Sequence, residues 1–395
     1  FHLVGGFERF GHIFLPCHSR NDDFHTLIAG LVDLGKMLVQ SAARRQGLGR
    51  RLLDAAEDAA RAAGRTLLML DTQQDSAGER LYRAWRAIAA RDVYDHGWAA
   101  VLGNLWRIVR APFRRDARGA PGALLDNAPL RQLLANWLDF DAARHNLAEG
   151  VLRTLCITAM DYGSGTSVAF FDGGDTPVWN RLYRRGERTA IALRHVMASA
   201  AIPVLFPAED IGGRYFGDGA LRQLHPLSPA LKFGAERLFV IGVSAPFAPQ
   251  PHMTERRRPG IGQMAAHLLN REFIDNLGAD IEQALHFNEV GRALAPQERE
   301  RLGMQPIETL VITPSAHFNE IAAEHLHRQP RTMQMLFRLL GTTPRGAGAS
   351  FASYLMFDGG FCERLMDMGY ADVMNERERV AAFLDAPATA AFSRR

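Results

Sequence analysis

Residues 237–244, with the sequence Arg-Leu-Phe-Val-Ile-Gly-Val-Ser, form an apolar run that ends in glycine and serine. An apolar stretch of this length is typical of a strand in a parallel sheet, because such strands are covered on both faces. Residues 309–313, Thr-Leu-Val-Ile-Thr, form a second run of this kind. Residues 271–294, between the two runs, have helical spacing. The succession of strand, helix and strand predicts an α/β domain.

A glycine-flanked aspartate, Asp218 in Gly217-Asp-Gly219, precedes the first of these runs. On spacing alone, an aspartate beside glycine is an ordinary turn residue. Open α/β sheets, however, place their functional sites at the carboxyl edge of the strands. We therefore expect Asp218 at the mouth of a surface cleft at this edge.

The segment from His195 to Pro207, followed by Gly217 to Ala220, resembles the second half of a patatin-like phospholipase. The resemblance runs from about residue 91 to residue 385 and implies a three-layer α/β/α sheet and a lipid or acyl-ester substrate. It also implies a serine–aspartate dyad in which Asp218 is the aspartate. In such a dyad the serine attacks the acyl carbonyl, the aspartate accepts or steers its proton, and backbone amides stabilise the oxyanion. This chemistry requires no cofactor and no metal.

The serine half of the dyad has no clear counterpart, because the family's nucleophile motif, G-x-S-x-G, is absent from the 395 residues. Ser167 follows Gly165-Thr but leads into a predicted strand, whereas a nucleophile elbow turns from strand into helix. Ser350 lies after Asp218 in the chain, which reverses the family order. The family's oxyanion loop, G-G-G-x-R-G, has only a distant match at residues 5–11. We therefore expect ester hydrolysis to be impaired.

Ser76 is the remaining candidate nucleophile, because Ser76-Ala-Gly78 reproduces the end of the motif at the mouth of a predicted helix. Gln74 stands in place of the first glycine, and five residues separate Ser76 from a predicted strand that ends at Leu70. The alternative role is helix capping, since Ser76 and Glu79 have the spacing of a capping box. The sequence is compatible with both roles.

Residues 34–84 predict a β-α-β-α unit with a glycine turn, Arg44-Arg-Gln-Gly-Leu-Gly49, between the first strand and helix. This turn fills the signature [QR]-x-x-G-x-[GA], and the unit resembles the acetyl-CoA-binding core of the GNAT acetyltransferases. Glycines at these positions let backbone N–H groups approach a pyrophosphate at a helix N-terminus. The resemblance implies Tyr82 as general acid for the leaving thiolate, the alternative being an ordinary helical tyrosine. It implies acetyl-CoA contacts at Leu38, Val39, Arg44, Arg45, Gly47, Gly49 and Arg50.

The chain is therefore predicted to contain three segments. Residues 1–33 show no sustained periodicity and predict no element, residues 34–90 form the GNAT-like unit, and residues 91–395 form a patatin-like domain that is incomplete at its N-terminus. The GNAT-like unit stands where a patatin-like domain has its own first strands. We expect it to complete the α/β/α sheet without restoring the nucleophile.

Charge and cysteine content argue against several functions. The net charge is +3, and Lys36 and Lys232 are the only lysines among 46 basic residues. This composition gives no strong electrostatic footprint for nucleic acid. Cys17, Cys156 and Cys362 are too widely spaced for a disulfide framework or a metal site, which predicts buried thiols in a reducing compartment.

Membrane insertion is not expected, because no apolar run approaches the ~18 residues that span a bilayer. The first residues lack the basic and apolar regions of a signal peptide, so a cytoplasmic protein is expected. Residues 106–115 alternate bulky apolar residues with arginines, which is typical of an interfacial helix. Peripheral membrane contact and a solvated helix packed on its own domain are both compatible with this pattern.

Three functions follow from the sequence. The leading one is a patatin-like lipid acyl hydrolase with impaired activity. The second is an acetyl-CoA-binding protein or N-acetyltransferase that uses residues 34–84. The third is a catalytically silent, lipid-binding scaffold.

Overall fold

The structure, a computed structural model, describes residues 2–7, 11–16, 77–110, 122–223, 225–243, 276–302, 307–339 and 349–385. The strands are β1 His2–Phe7, β2 Gly11–Pro16, β3 Thr154–Asp161, β4 Thr166–Gly173, β5 Trp179–Arg181, β6 Arg184–Arg188, β7 Glu209–Ile211, β8 Arg214–Asp218, β9 Arg237–Ile241 and β10 Glu308–Ile312. The glycine turn at residues 44–49, its flanking elements and Ser76 lie outside the described residues.

Helices make up most of the remaining described chain. They are α1 Ala77–Ala87, α2 Trp98–Arg110, α3 Ala128–Trp137, α4 Phe140–Ala148, α5 Leu193–Ser199, α6 Ser228–Lys232, α7 Asn276–Ala293, α8 Pro296–Leu302, α9 Phe318–His325, α10 Arg331–Leu339, α11 Ala349–Leu355, α12 Gly359–Asn375 and α13 Arg377–Asp385. None of the described helices is long and apolar enough to cross a bilayer.

The described strands form one ten-stranded mixed sheet in the order β10-β9-β1-β2-β3-β4-β6-β5, with β8 paired to β3 and β7 to β8. Strands β10, β9 and β1 are parallel, and β4 is parallel to β6. The steps from β1 through β2 and β3 to β4 are antiparallel. The predicted parallel strands at residues 237–244 and 309–313 are thus confirmed as β9 and β10.

Two strands lie where the sequence predicted no element. In the sheet, β1 and β2 form a hairpin that fills the place between β9 and β3, with Val4 opposite both Phe14 and Val240. Each strand has six residues, and β1 contains two glycines. Runs this short carry little periodicity, so strand and loop are hard to tell apart in the sequence. The first strands of the sheet therefore include residues 2–7 and 11–16.

Helices cover both faces of the sheet. On one face, Ile157 of β3 and Phe170 of β4 belong to a core shared with α3, α5, α9, α11 and α12. On the other face, Cys156 and Phe171 pack with residues of α6 and α7. Neighbouring residues of one strand thus enter opposite cores, as expected for a strand buried on both faces. This arrangement is the predicted α/β/α fold.

Two of the three cysteines fall in the described residues. Cys156 and Cys362 are buried and form no disulfide among the described residues, as expected from their wide spacing. Burial raises the pKa of the Cys156 thiol, which keeps the thiol protonated and unreactive. Both side chains therefore act as small apolar core residues.

Candidate functional site

Asp218 is the last residue of β8 and caps a short 3-10 helix, Gly219–Arg222. Its backbone N–H donates to the carbonyl of Ala201 over 3.0 Å. Its carboxyl Oδ1 accepts a hydrogen bond of 2.9 Å from the N–H of Ala220. These bonds fix the backbone on both sides of the carboxyl group, and the residue is 4% exposed.

The two glycines beside Asp218 are required by close packing. Neither has a positive φ, so an unusual turn conformation is not the reason for them. A Cβ at Gly217 would overlap the ring and hydroxyl of Tyr162, and one at Gly219 would overlap the carbonyl of Thr158. The Gly-Asp-Gly sequence therefore lets β8 lie close against β3 and the residue that follows it.

The register of the sheet places Asp218 at the carboxyl edge of the parallel strands. One edge of β3 is paired with β4 along its whole length. The other edge is shared by β2, opposite residues 156–157, and β8, opposite residues 159–161. Counting along these pairs brings Asp218 level with Phe7, the last residue of β1. This position agrees with the edge expected from the sequence.

The open cleft expected at Asp218 stays a prediction. The carboxyl group is buried, because α5 and the chain that follows it pack against β8. A cavity of about 490 Å³ in the described residues is lined by Leu147, Gly150, Leu152, Arg153, Gly174 and Asp175. This cavity lies at the opposite edge of the sheet, where β3 begins and β4 ends.

Burial makes the carboxyl group of Asp218 a weaker acid than an exposed aspartate. Loss of solvation raises the pKa of its carboxyl group from 3.8 to about 7, and the hydrogen bond from Ala220 lowers it only in part. Burial also raises the pKa of Tyr162, and the negative charge of Asp218 raises it further. A carboxyl group with a pKa close to neutral is suited to exchange protons, which is the requirement for a general base or acid.

A serine partner for this carboxyl group is not found among the described residues, where its hydrogen bond comes from a backbone N–H. Ser167 is a buried residue within β4, so the expectation that it is not an elbow serine is confirmed. Ser350 lies in α11, in a helix rather than at a strand end. The described part of the chain thus includes the candidate aspartate but no serine bonded to it.

The structure adds two buried polar residues that the sequence analysis did not single out as functional. His195 and Ser199 lie one turn apart on α5 and are fully buried. The Nδ1 atom of His195 accepts a hydrogen bond of 2.9 Å from the N–H of Ala192, which leaves the proton of the neutral ring on Nε2. Burial lowers the pKa of this ring to about 4, and the charge of Arg194 contributes. His195 is therefore neutral at physiological pH.

His195 and Ser199 pack on the face of the sheet towards which Asp218 points. The His195 ring packs against the ring of Phe170 at a tilt, with centroids 4.8 Å apart, and the ring of Phe170 meets that of Phe216 edge-on, with centroids 5.1 Å apart. Because side chains alternate along a strand, Phe216 and Asp218 share this face. The Nε2 of His195 and the Oγ of Ser199 have no hydrogen-bond partner in the described part of the chain. Full burial keeps Ser199 from substrate, so it is not a nucleophile.

Tyr82 lies in α1, as predicted, with the guanidinium of Arg86 over its ring at 5.5 Å. Its hydroxyl is buried and has no partner among the described residues. The seven predicted acetyl-CoA contacts lie outside those residues. The role of Tyr82 as a general acid therefore stays a prediction.

The described residues define an α/β/α protein with a buried aspartate at the carboxyl edge of its sheet. Residues 60–231 match the family model for patatin-like phospholipase, and residues 18–85 match the model for the GNAT family of acetyltransferases. Both resemblances are thereby confirmed, in the predicted order along the chain. The patatin-like match includes Asp218 and supports a fold of the lipid-hydrolase type. A comparison with curated proteins gives no match.

Proposed function

We propose that this protein is a patatin-like lipid acyl hydrolase in which Asp218 is the dyad aspartate and hydrolysis is impaired. The observation that carries the proposal is the setting of Asp218, which combines burial, the carboxyl edge of the sheet and a pKa of about 7. A carboxyl group with a pKa near neutrality is present in its ionised form at physiological pH, in which it is able to accept the proton of a nucleophile. The impairment follows from the missing G-x-S-x-G motif.

Hydrolysis of p-nitrophenyl esters tests this proposal. Removing the nucleophile of a serine hydrolase costs on the order of 10⁶ in kcat, so we expect weak or undetectable turnover and no labelling by a fluorophosphonate. We expect any residual turnover to disappear in Asp218→Ala and to persist in Asp175→Ala, whose carboxylate is exposed at the opposite edge. Robust turnover that requires Asp218 would show that the activity is intact, and Ser76→Ala would then test Ser76 as nucleophile.

Acetyl-CoA binding is the second candidate function, favoured by the match of residues 18–85 to the GNAT model. If the strands at residues 36–40 and 66–70 are embedded in a sheet, the gap that receives pantetheine is closed, because neighbouring strands pair across it. We then expect a Kd no better than about 1 mM, or about 4 kcal/mol, from phosphate contacts alone. A micromolar Kd in calorimetry that is lost in Gly47→Glu would instead favour the acetyltransferase.

Lipid contact without catalysis is the third candidate, and the structure of α2 supports it. The inner face of α2 packs through Val101 and the buried Asn104, whose side chain donates to the carbonyl of Leu124. The outer face exposes Trp98 and Trp106 together with Leu102 and Leu105. The helix therefore combines both expected features, because it is docked on its own domain and still presents an apolar stripe with arginines beside it. Absence of both ester hydrolysis and acetyl-CoA binding would leave this function.

A further inference from the structure

The hairpin formed by β5 and β6 carries an exposed apolar tip. Its turn consists of two residues, Leu182 and Tyr183, between the paired Arg181 and Arg184. Leu182 is 86% exposed and Tyr183 is 51% exposed. Among the described strands the hairpin forms one outer edge of the sheet, so this tip projects from the end of an edge strand.

Turn geometry does not account for these two residues. Two-residue hairpin turns favour asparagine, aspartate and glycine, which adopt the positive φ values of the preferred turn types. Neither Leu182 nor Tyr183 has a positive φ, and the side chain of Leu182 is almost fully hydrated. A polar residue at position 182 would serve the fold equally well. The apolar tip therefore points to an interaction with something outside the chain.

The tip lies at the same edge of the sheet as Asp218. Arg184 is opposite Ser167 at the beginning of β4, and Thr166 is opposite Asp161 at the end of β3. The turn thus extends beyond the carboxyl end of β3, three strand spacings or about 14 Å across the sheet from β8. Arg222, at the end of the 3-10 helix that Asp218 caps, places its guanidinium over the ring of Tyr183 at 4.8 Å. Arg222 thus connects the tip to the short helix that Asp218 caps.

Positive charge surrounds the tip. Arg181 and Arg184 flank it, and Arg222 packs against it. The acidic side chains on the adjacent strands, Glu187 and Asp161, are both engaged by Arg214. An apolar tip surrounded by arginines fits a lipid surface with anionic headgroups. The apolar residues can enter the interface, and the arginines can bind the phosphate groups of the lipids.

We propose that Leu182 and Tyr183 insert into an anionic bilayer surface and turn the Asp218 edge of the sheet towards the lipid. The proposal rests on the proposed function for its choice of lipid as substrate class, but it does not require that hydrolysis occurs. It adds a docking element and an orientation to the candidate site. Docking through α2 is a different surface, and the experiment separates the two.

Co-sedimentation with vesicles tests the proposal on the full chain. We expect binding to phosphatidylcholine vesicles that contain phosphatidylglycerol and much weaker binding to phosphatidylcholine alone. Leu182→Asp should weaken binding to the anionic vesicles about tenfold, since it removes an inserted apolar side chain and adds repulsion. Val178→Asp is the matched control, because Val178 is 64% exposed just before β5 and away from the tip. It should bind like the unchanged protein.

Three results would overturn the proposal. They are failure of the unchanged protein to bind anionic vesicles, equal loss in the Leu182 and Val178 variants, and binding that survives Leu182→Asp but disappears in Trp106→Ser. The last result would assign docking to α2. Soluble esters and fluorophosphonates report on the proposed hydrolase without any vesicle, so a failure of that function leaves the vesicle result interpretable.

Discussion

Asp218 is held in an environment that favours its neutral form. A raised pKa in the folded state means that its contribution to stability is complete below its usual value of 3.8 and is lost as pH rises through about 7. A change of this size corresponds to up to about 4 kcal/mol. Functional groups often carry such a cost, because the environment that tunes their acidity also destabilises their charged form.

Replacing Asp218 with asparagine should therefore stabilise the protein at alkaline pH. Asparagine keeps the oxygen that accepts from Ala220 and carries no charge. In urea denaturation we expect the Asp218→Asn variant to gain up to about 4 kcal/mol over the unchanged protein between pH 3.5 and pH 8. Asp175→Asn, at an exposed position, should show no such trend. A constant difference across this range would mean that Asp218 titrates normally.

At Asp218 and its neighbours, some features could be predicted from the sequence and others could not. The resemblance to the patatin-like family identified Asp218 as a candidate, because the Gly-Asp-Gly pattern alone is equally typical of an ordinary turn. Burial and acidity were not predictable, since they depend on α5 and the chain after it. The burial of His195 was not predicted, because a polar residue type in a sequence suggests exposure rather than burial.

Arg214 links β8, which is paired with β3 and β7, to the more distant strand β6. The guanidinium group of Arg214 forms a bidentate ion pair with the carboxylate of Glu187 in β6, with N–O distances of 2.6 and 2.9 Å. The same group lies 3.5 Å from a carboxylate oxygen of Asp161 in β3. Burial alone would raise the pKa of Glu187, but the hydrogen bonds and charge of Arg214, assisted by Arg185, lower it. A lowered pKa contributes stability above the usual pKa of glutamate that is lost as pH falls.

Glu187→Gln should thus destabilise the protein in a pH-dependent way. We expect a loss of about 1 kcal/mol in the free energy of unfolding at pH 7 and a smaller loss near pH 3, because acid protonates the carboxyl group and weakens its bonds to Arg214. Glu376→Gln removes an exposed pair with Arg379 and should cost almost nothing at either pH. Equal losses at both pH values would mean that packing, rather than charge, holds the glutamate.

At the scale of elements, the sequence predicted strands whose signal is local. Strands β9 and β10 are apolar runs covered on both faces, and α7 confirmed the described part of the helical pattern at residues 271–294. Strands β1 and β2 escaped prediction because their pairing, not their composition, makes them strands. The segment boundaries at residues 33 and 90 stay predictions.

The continuity of the described sheet depends on the hairpin of β1 and β2. This hairpin joins strands β9 and β10 on one side to strand β3 and the strands beyond it on the other. Val4 is paired on both sides, whereas Asn180 in the edge strand β5 is paired on one. Proline removes a ladder hydrogen bond and is tolerated only at sheet edges. We expect Val4→Pro to cost about 3 kcal/mol or more in the free energy of unfolding and Asn180→Pro to cost much less.

Circular dichroism during urea denaturation measures this difference. A Val4→Pro variant that unfolds at the same urea concentration as the unchanged protein would show that the hairpin is not an integral part of the sheet. A similar loss in both variants would indicate that edge and centre contribute equally. The expected result is a large loss confined to the central strand.

The pairing of His2 with Leu238 has a consequence for biosynthesis. Strand β1 emerges from the ribosome long before β9. The edge of β1 that pairs with β9 therefore stays unpaired while more than half of the described sheet is still being synthesised. Non-local pairing of this kind folds slowly, and unpaired edges recruit other chains. The need for chaperones during synthesis, and the yield of folded protein at low temperature, should therefore depend on the hairpin of β1 and β2 rather than on the candidate site.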